Sequence, residues 1–162
     1  MIKSAVSDST PLIHLAKISK LSFLEKFFDK LYITQEIFDE VITKGRELGK
    51  KEVVIIEKYI TDNFIEVKNA KSDIAIPNLH IGECKSISLC KEMDIKNILI
   101  DEKEGYDAAK LFGLNPMRTT TLLLKLRNKN FLGENEFKKA LLELSESGYF
   151  LSAEVYNKLM EG

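Results

Sequence analysis

The feature that most constrains the fold is a series of short apolar segments separated by stretches with helical periodicity. Each segment is shorter than the roughly ten residues of an ordinary helix, which favours strands over helices. The predicted strands are Ile2–Ser7, Leu31–Ile33, Asn63–Val67, Asn97–Ile100 and Asn115–Arg118. Because short strands alternate with helical stretches, the chain is predicted to form a small parallel sheet covered on both faces, a three-layer α/β/α sandwich.

Between the strands, apolar residues recur every three or four positions, as in amphipathic helices. The predicted helices are two short ones within Leu12–Phe28, then Gln35–Lys44, Val53–Ile60, Glu83–Met93, Glu104–Phe112, and three between Thr119 and Gly162 that are separated near Leu132–Gly133 and Ser147–Gly148. The polar stretch Arg46–Lys51 indicates a surface turn, and Lys68–Leu79 indicates a flexible loop.

The length of 162 residues suits one compact domain, so residues 1–162 are expected to form a single unit with the C-terminal helices from about residue 119 packed on it. No apolar run reaches the roughly 18 residues of a membrane span. The first apolar stretch is too short for a signal peptide, so we expect a cytoplasmic protein. Cys84 and Cys90 lie on different faces of one predicted helix, which indicates free thiols and a reducing compartment.

The net charge of −1 means that the field of the whole molecule does not attract nucleic acid. A polyanionic substrate would therefore need metal ions or a local basic patch. The cationic residues best placed for phosphate contacts are Arg118, Lys125, Arg127 and Lys129. A solvated helix face explains the same residues equally well.

Acidic residues follow two of the predicted strands. Asp8 ends the first strand and Asp101 ends the fourth, so both belong at the carboxyl edge of the sheet, where such folds place their sites. Glu40 and Glu83, on the following helices, could point into the same crevice. Clustered carboxylates repel one another, and a divalent cation offsets this repulsion. Oxygen ligands without Cys or His indicate Mg²⁺ or Mn²⁺.

Each acid also has a purely structural interpretation. Asp8 could form an Asx turn or cap the helix before Pro11, and Glu83 could complement a helix dipole. Glu40 could be a solvated helix residue, and Asp101 with Glu102 could cap the next helix. A phosphoacceptor enzyme is a further alternative, but a dehalogenase-type site requires Asp where Thr10 stands, and no receiver-type acid pair or lysine is evident. From the residues alone, these interpretations stay open.

Four motifs, in order and at fitting spacing, resemble the PIN-domain family. Val6–Ile13 is similar to the opening strand-Asp-x-Ser/Thr-Pro-Leu-Ile of these proteins, and Gly82–Leu89 to the Gly-Glu-x-x-Ala-Ile-x-Leu segment of a prokaryotic PIN-like subfamily. Leu99–Glu102 resembles the strand-then-Asp segment, and Ser147–Ser152 the C-terminal Gly-aromatic-x-Ser segment. The resemblance covers nearly the whole chain.

The resemblance implies a Mg²⁺- or Mn²⁺-dependent endoribonuclease that cuts single-stranded RNA and is the toxin of a toxin–antitoxin pair. It further implies a small antitoxin partner and a homodimer. The four catalytic acids would be Asp8, Glu40, Glu83 and Asp101, and Glu36 is a less favoured choice for the second acid. Asp8, Glu83 and Asp101 would bind the metal. Thr10, together with Glu102 or Glu104, would support these acids.

Three positions depart from the subfamily pattern. Lys85 stands in place of a second Glu, Tyr106 in place of an Arg, and Arg118–Thr120 in place of a Gly-Thr turn. Since a lysine ammonium could pair with an acid and weaken metal binding, the alternative is a non-catalytic PIN-like module that binds nucleic acid or protein.

Overall fold

The chain forms a five-stranded parallel sheet, as predicted. The computed structural model describes residues 3–72 and 74–161, so Ile2 of the first predicted strand, Asp73 and Gly162 lie outside the described residues. The strands are β1 (Ser4–Ser7), β2 (Lys30–Ile33), β3 (Ile65–Val67), β4 (Asn97–Leu99) and β5 (Asn115–Met117). Their order across the sheet is β3-β2-β1-β4-β5.

The helices follow the predicted alternation with the strands. They are α1 (Ser9–Lys17), a 3₁₀ helix (Leu21–Lys26), α2 (Gln35–Phe38), a π helix (Asp39–Lys44), α3 (Gly45–Glu47), α4 (Glu52–Thr61), α5 (Ile81–Glu92), α6 (Lys103–Leu111), α7 (Thr119–Asn128), α8 (Glu134–Glu146) and α9 (Ala153–Glu161). Within the described ranges, no helix is long and apolar enough to cross a bilayer.

The central strand β1 separates two apolar cores. Its side chains alternate between the faces of the sheet, so Ala5 packs with the core built by α1, α4, α7 and α8, whereas Val6 packs with the core built by α5 and α6. Both residues are fully buried. The sheet is therefore covered on both faces, which confirms the predicted three-layer sandwich.

One predicted α-helix has a different internal structure. The stretch predicted as a single helix over Gln35–Lys44 begins as α2, widens into the π helix and continues as α3, so α3 occupies the start of the predicted surface turn. A Cβ atom on Gly45 would lie 2.7 Å from Cγ2 of Val53. Glycine thus allows the close approach of this segment to α4, a tertiary requirement that helical periodicity does not report.

The strand order creates a crevice at the carboxyl edge of the sheet. The chain passes from β1 to β2 on one side and later returns to β4 on the other side of β1. Ligand sites of open α/β sheets lie at such a reversal of strand order. The backbone N–H of Asp8 donates to the carbonyl of Leu99 over 2.9 Å, so the ends of β1 and β4 stand side by side there.

Candidate active site

Asp8 lies at the end of β1 and is only 5% exposed. It precedes α1, but its side chain makes no capping hydrogen bond to that helix. Burial, and then the negative charge of Glu83, raise the pKa of Asp8 from 3.8 to about 7, while a backbone N–H at Ser9 opposes the rise. A buried carboxylate of this kind is costly to ionise unless a positive charge joins it.

Glu83 lies in the first turn of α5 and is 4% exposed. Its Oε2 accepts a hydrogen bond from the backbone N–H of His80 over 3.1 Å, while Oε1 is buried and has no hydrogen-bond partner among the described residues. One oxygen therefore stabilises the helix terminus, and the other is a buried polar atom whose hydrogen-bonding capacity is unused. Burial raises the pKa of Glu83, and the charges of Glu102 and Glu104 add to the rise.

Asp101 follows β4 and is held by three hydrogen bonds. Its Oδ1 accepts from the Thr119 N–H over 2.8 Å and from the Tyr149 hydroxyl over 2.6 Å, and its Oδ2 accepts from the Thr119 hydroxyl over 2.8 Å. Burial raises the pKa of Asp101, and these donors together with the charge of Arg118 oppose the rise. The carboxylate is consequently fixed in one orientation.

The four predicted acids interact electrostatically at this edge of the sheet. Besides Glu83, the charges of Glu40 and Asp101 raise the pKa of Asp8. Glu40 is exposed and belongs to the π helix, whereas the less favoured Glu36 is half-buried on α2, one turn earlier.

Two glycines bring the helix termini close to the acids. A Cβ atom on Gly82 would lie 3.9 Å from Oδ1 of Asp8, and one on Gly105 would lie 2.6 Å from Oε1 of Glu83. Any other residue in place of Gly105 would thus displace the Glu83 carboxylate.

A cleft of about 480 Å³ opens beside Asp101. Its lining includes the predicted site residues Thr10, Asp101, Glu102 and Arg118, and also Tyr149, Phe150, Ser152 and Val155 from the C-terminal segment. The Arg118 guanidinium stacks 4.5 Å from the centre of the Tyr106 ring. A cation that could contact a phosphate group therefore stands in the same cleft as Asp101.

The other predicted cations lie elsewhere. Arg127 stacks 4.6 Å from the centre of the Phe137 ring and donates to the carbonyl of Leu159, so it holds α9 against α8. Lys125 is half-buried on α7, and Lys129 lies 5.8 Å from the centre of the Phe27 ring. Lys85, the departure from the subfamily pattern, lines a different and largely apolar groove.

The donor set fits a hard divalent cation that keeps part of its water shell. Within residues 3–72 and 74–161, no group of three or more His, Cys, Asp or Glu side chains could hold a metal ion as placed. Mg²⁺, however, is usually bound through one or two carboxylates together with waters and substrate phosphates, and not in an all-protein cage. The unpartnered Oε1 of Glu83 and the buried carboxylate of Asp8 are suited to such a partial ligand set.

Two residues that hold the site were not identified from the sequence. Thr119 and Tyr149 orient Asp101, and the ring of Tyr149 packs edge-on against His14 with ring centres 5.2 Å apart. His14 in turn shares a 2.7 Å hydrogen bond with Ser147. The only sequence signal for Tyr149 was the resemblance of its segment to a family motif, which assigns the residue no role.

The fold and the acidic cleft define an α/β protein with a candidate cation site at the switch in strand order. The chain belongs to the PIN-domain family, since the family model DUF3368, PIN domain, matches residues 4–162. A solved PilT N-terminus domain protein, SSO1118 from the archaeon Sulfolobus solfataricus P2, has a similar fold with a TM-score of 0.55 and 18% identity. The match covers 75% of this chain and 92% of the archaeal protein. No curated protein is significantly similar to the chain.

Proposed function

We propose that this PIN-domain protein is a Mg²⁺- or Mn²⁺-dependent endoribonuclease. The observation that carries the proposal is the pairing of two buried acids at the sheet edge, Asp8 with a pKa raised to about 7 and Glu83 with an unpartnered Oε1. Both features raise the free energy of the folded protein without a cation, and a bound cation would remove this cost. Membership of a family of PIN-like nucleases makes a phosphodiester the expected substrate.

The site residues would have different roles in this reaction. Asp8 and Asp101 would be direct ligands of the cation, and Glu83 and Glu40 would be further ligands or would orient water. A bound divalent cation would supply a Lewis acid that offsets charge on the phosphodiester and makes a water molecule more acidic. Arg118 would contact a phosphate, and Thr10 and Glu102 would support the acids.

The test is cleavage of a mixed RNA pool by the wild-type chain and by Asp8→Asn, each with Mn²⁺, Mg²⁺ or EDTA. We expect metal-dependent cleavage by the wild type, no cleavage in EDTA, and a rate lower on the order of a hundredfold for Asp8→Asn. Asp94→Asn is the matched control, because it makes the same chemical change on a side chain that is 88% exposed. Asp94 also follows α5 at the helix end opposite to Glu83. Equal rates for wild type and Asp8→Asn would contradict the proposal.

The second candidate is a non-catalytic PIN-like module that binds nucleic acid or protein. It is favoured by the lack, among the described residues, of a group of three or more acids that could hold a metal as placed. Under this alternative, the wild-type chain would bind its partner equally well in Mg²⁺ and in EDTA and would leave the RNA pool intact.

We further propose, from the resemblance alone, that the protein is the toxin of a toxin–antitoxin pair, with a small antitoxin and a homodimeric assembly. Growth arrest on expression in a bacterial host, relieved by Asp8→Asn, would support a toxin. Sedimentation of the purified chain would test the dimer.

A further inference from the structure

Two neighbouring aromatic residues of the C-terminal segment have opposite environments. Tyr149 is half-buried and donates to Asp101, whereas Phe150 is 89% exposed. Gly148 makes this possible, because its φ of +90° turns the chain sharply after α8 in a conformation that L side chains rarely adopt. Tyr149 and Phe150 are adjacent in the chain, but the first contacts Asp101 and the second faces solvent.

Phe150 lies on the wall of the cleft that holds Asp101 and Arg118. Val155, which is 41% exposed, lines the same cleft, so the wall has an apolar part next to its charged part. The Arg118 guanidinium is held over the Tyr106 ring. The cleft therefore combines an exposed aromatic ring, a cation and an oriented carboxylate.

This combination matches the chemistry of one nucleotide in a single strand. An unpaired base offers an apolar face that stacks on an aromatic ring, and its phosphate carries the charge that an arginine recognises. Bases within a duplex are stacked on each other and do not offer this face. An apolar peptide would use the ring but would leave Arg118 and the acids without complementary groups.

We propose that Phe150 is a stacking platform for one unpaired base of a single-stranded RNA, with Arg118 on a neighbouring phosphate and the scissile phosphate near Asp101 and Asp8. The proposal rests on the proposed function for the identity of the reaction, but binding through Phe150 can be measured without cleavage. Stacking of this kind tolerates any base, so the subsite selects for single strands and not for sequence.

The test is binding of a short single-stranded RNA that carries the fluorescent base 2-aminopurine, whose emission falls on stacking. Binding is measured with wild type in EDTA, and with the Asp8→Asn background in Mg²⁺, so that cleavage of the strand is prevented or greatly slowed. Phe150→Leu keeps the apolar bulk and removes the aromatic face, so we expect binding weaker by roughly five- to hundredfold and a smaller loss of emission. Phe150→Tyr keeps the ring and should bind like wild type.

Three controls separate stacking from general apolar adsorption and from unfolding. Leu111→Ala alters a side chain that is 88% exposed at the end of α6, away from the cleft lining, and should leave binding unchanged. The same RNA annealed into a duplex should bind more weakly and should not respond to Phe150→Leu. Because Phe150 is exposed, thermal melts of its variants should coincide with that of wild type.

Equal affinity of wild type and Phe150→Leu for the single strand overturns the proposal. If neither the wild type in EDTA nor Asp8→Asn in Mg²⁺ binds the single strand, the proposal is also overturned. Cleavage of the RNA pool with no effect of Phe150→Leu on binding leaves the proposed function standing and removes this inference. Binding that depends on Phe150, without cleavage of the RNA pool, supports this inference and contradicts the proposed function.

Discussion

Replacing Asp8 by Asn should stabilise the metal-free protein, and the gain should increase with pH. The pKa of Asp8 rises from 3.8 to about 7 in the folded chain. At a pH above 7, a shift of about three units corresponds to an unfavourable contribution of roughly 4 kcal/mol to folding. Asn has the same shape without the charge but still buries an amide, so we expect about half of this value, roughly 4–8 °C in melting temperature.

The pH range of the effect follows from the direction of the shift. Because the folded-state pKa of Asp8 lies above the unfolded-state value, the folded protein binds more protons between about pH 4 and pH 7. Through this group, the wild type loses stability as pH rises across that range. The melting-temperature difference between Asp8→Asn and wild type should therefore be small near pH 4 and level off above pH 7.

The assay is a series of thermal melts in EDTA across this pH range for wild type, Asp8→Asn and the exposed control Asp94→Asn. Melts repeated at pH 8 with Mn²⁺ should raise the wild-type melting temperature by roughly 3–6 °C if the ion is present at about ten times its dissociation constant. Asp8→Asn should lose most of this response. A pH-independent difference, or equal melting temperatures for all three proteins, would refute the assignment of Asp8 as a buried, metal-responsive acid.

Three further outcomes are expected at the same site. Tyr149→Phe removes a donor to Asp101, so it should lower the free energy of unfolding by roughly 1–2 kcal/mol in melts and weaken Mn²⁺ binding in calorimetry. Gly105→Ala would place a Cβ atom 2.5 Å from Cδ1 of Ile100 and 2.6 Å from Oε1 of Glu83, and should cost roughly 1–3 kcal/mol and abolish the Mn²⁺-induced rise in melting temperature. Mn²⁺ binding at pH 6 should release more protons than at pH 8, as seen in buffers of different ionisation enthalpy, because Asp8 must ionise to bind. A Tyr149→Phe or Gly105→Ala protein with wild-type Mn²⁺ affinity, or equal proton release at both pH values, would contradict the corresponding expectation.

The strands could be predicted from the sequence because each is a short apolar run that pairs with equally apolar neighbours in a covered sheet. The central strand β1 shows the reason most clearly, since Ala5 and Val6 face different cores and both must be apolar. The π helix could not be predicted in this way. The close approach of Gly45, the residue after the π helix, to Val53 of α4 also joins two different helices, and helical periodicity does not report it.

The positions of Asp8 and Asp101 at the sheet edge also followed from the sequence, because the carboxyl ends of parallel strands share one edge. The assignment of all four acids as ligands stays a prediction. The contacts of Asp101 could not be deduced, since Thr119 is 18 residues away and Tyr149 is 48 residues away along the chain. Only the packing of the C-terminal segment against α1 brings the Tyr149 hydroxyl to that carboxylate.

Asp8 and Asp101 have the same side chain but different environments at this edge of the sheet. The difference bears on how a cation and a phosphate would bind there. Asp101 accepts three hydrogen bonds and stands near Arg118, and these interactions partly offset the burial that raises its pKa. Asp8 has a pKa of about 7 and faces the charges of three other acids, so its ionised form needs an added cation. The chain has a net charge of −1 and offers a polyanion no general attraction. Under the proposed function, a cation that ionises Asp8 would also make the local potential more favourable for phosphate. Binding of the cation and binding of the strand would then be thermodynamically coupled, and each would raise the affinity for the other.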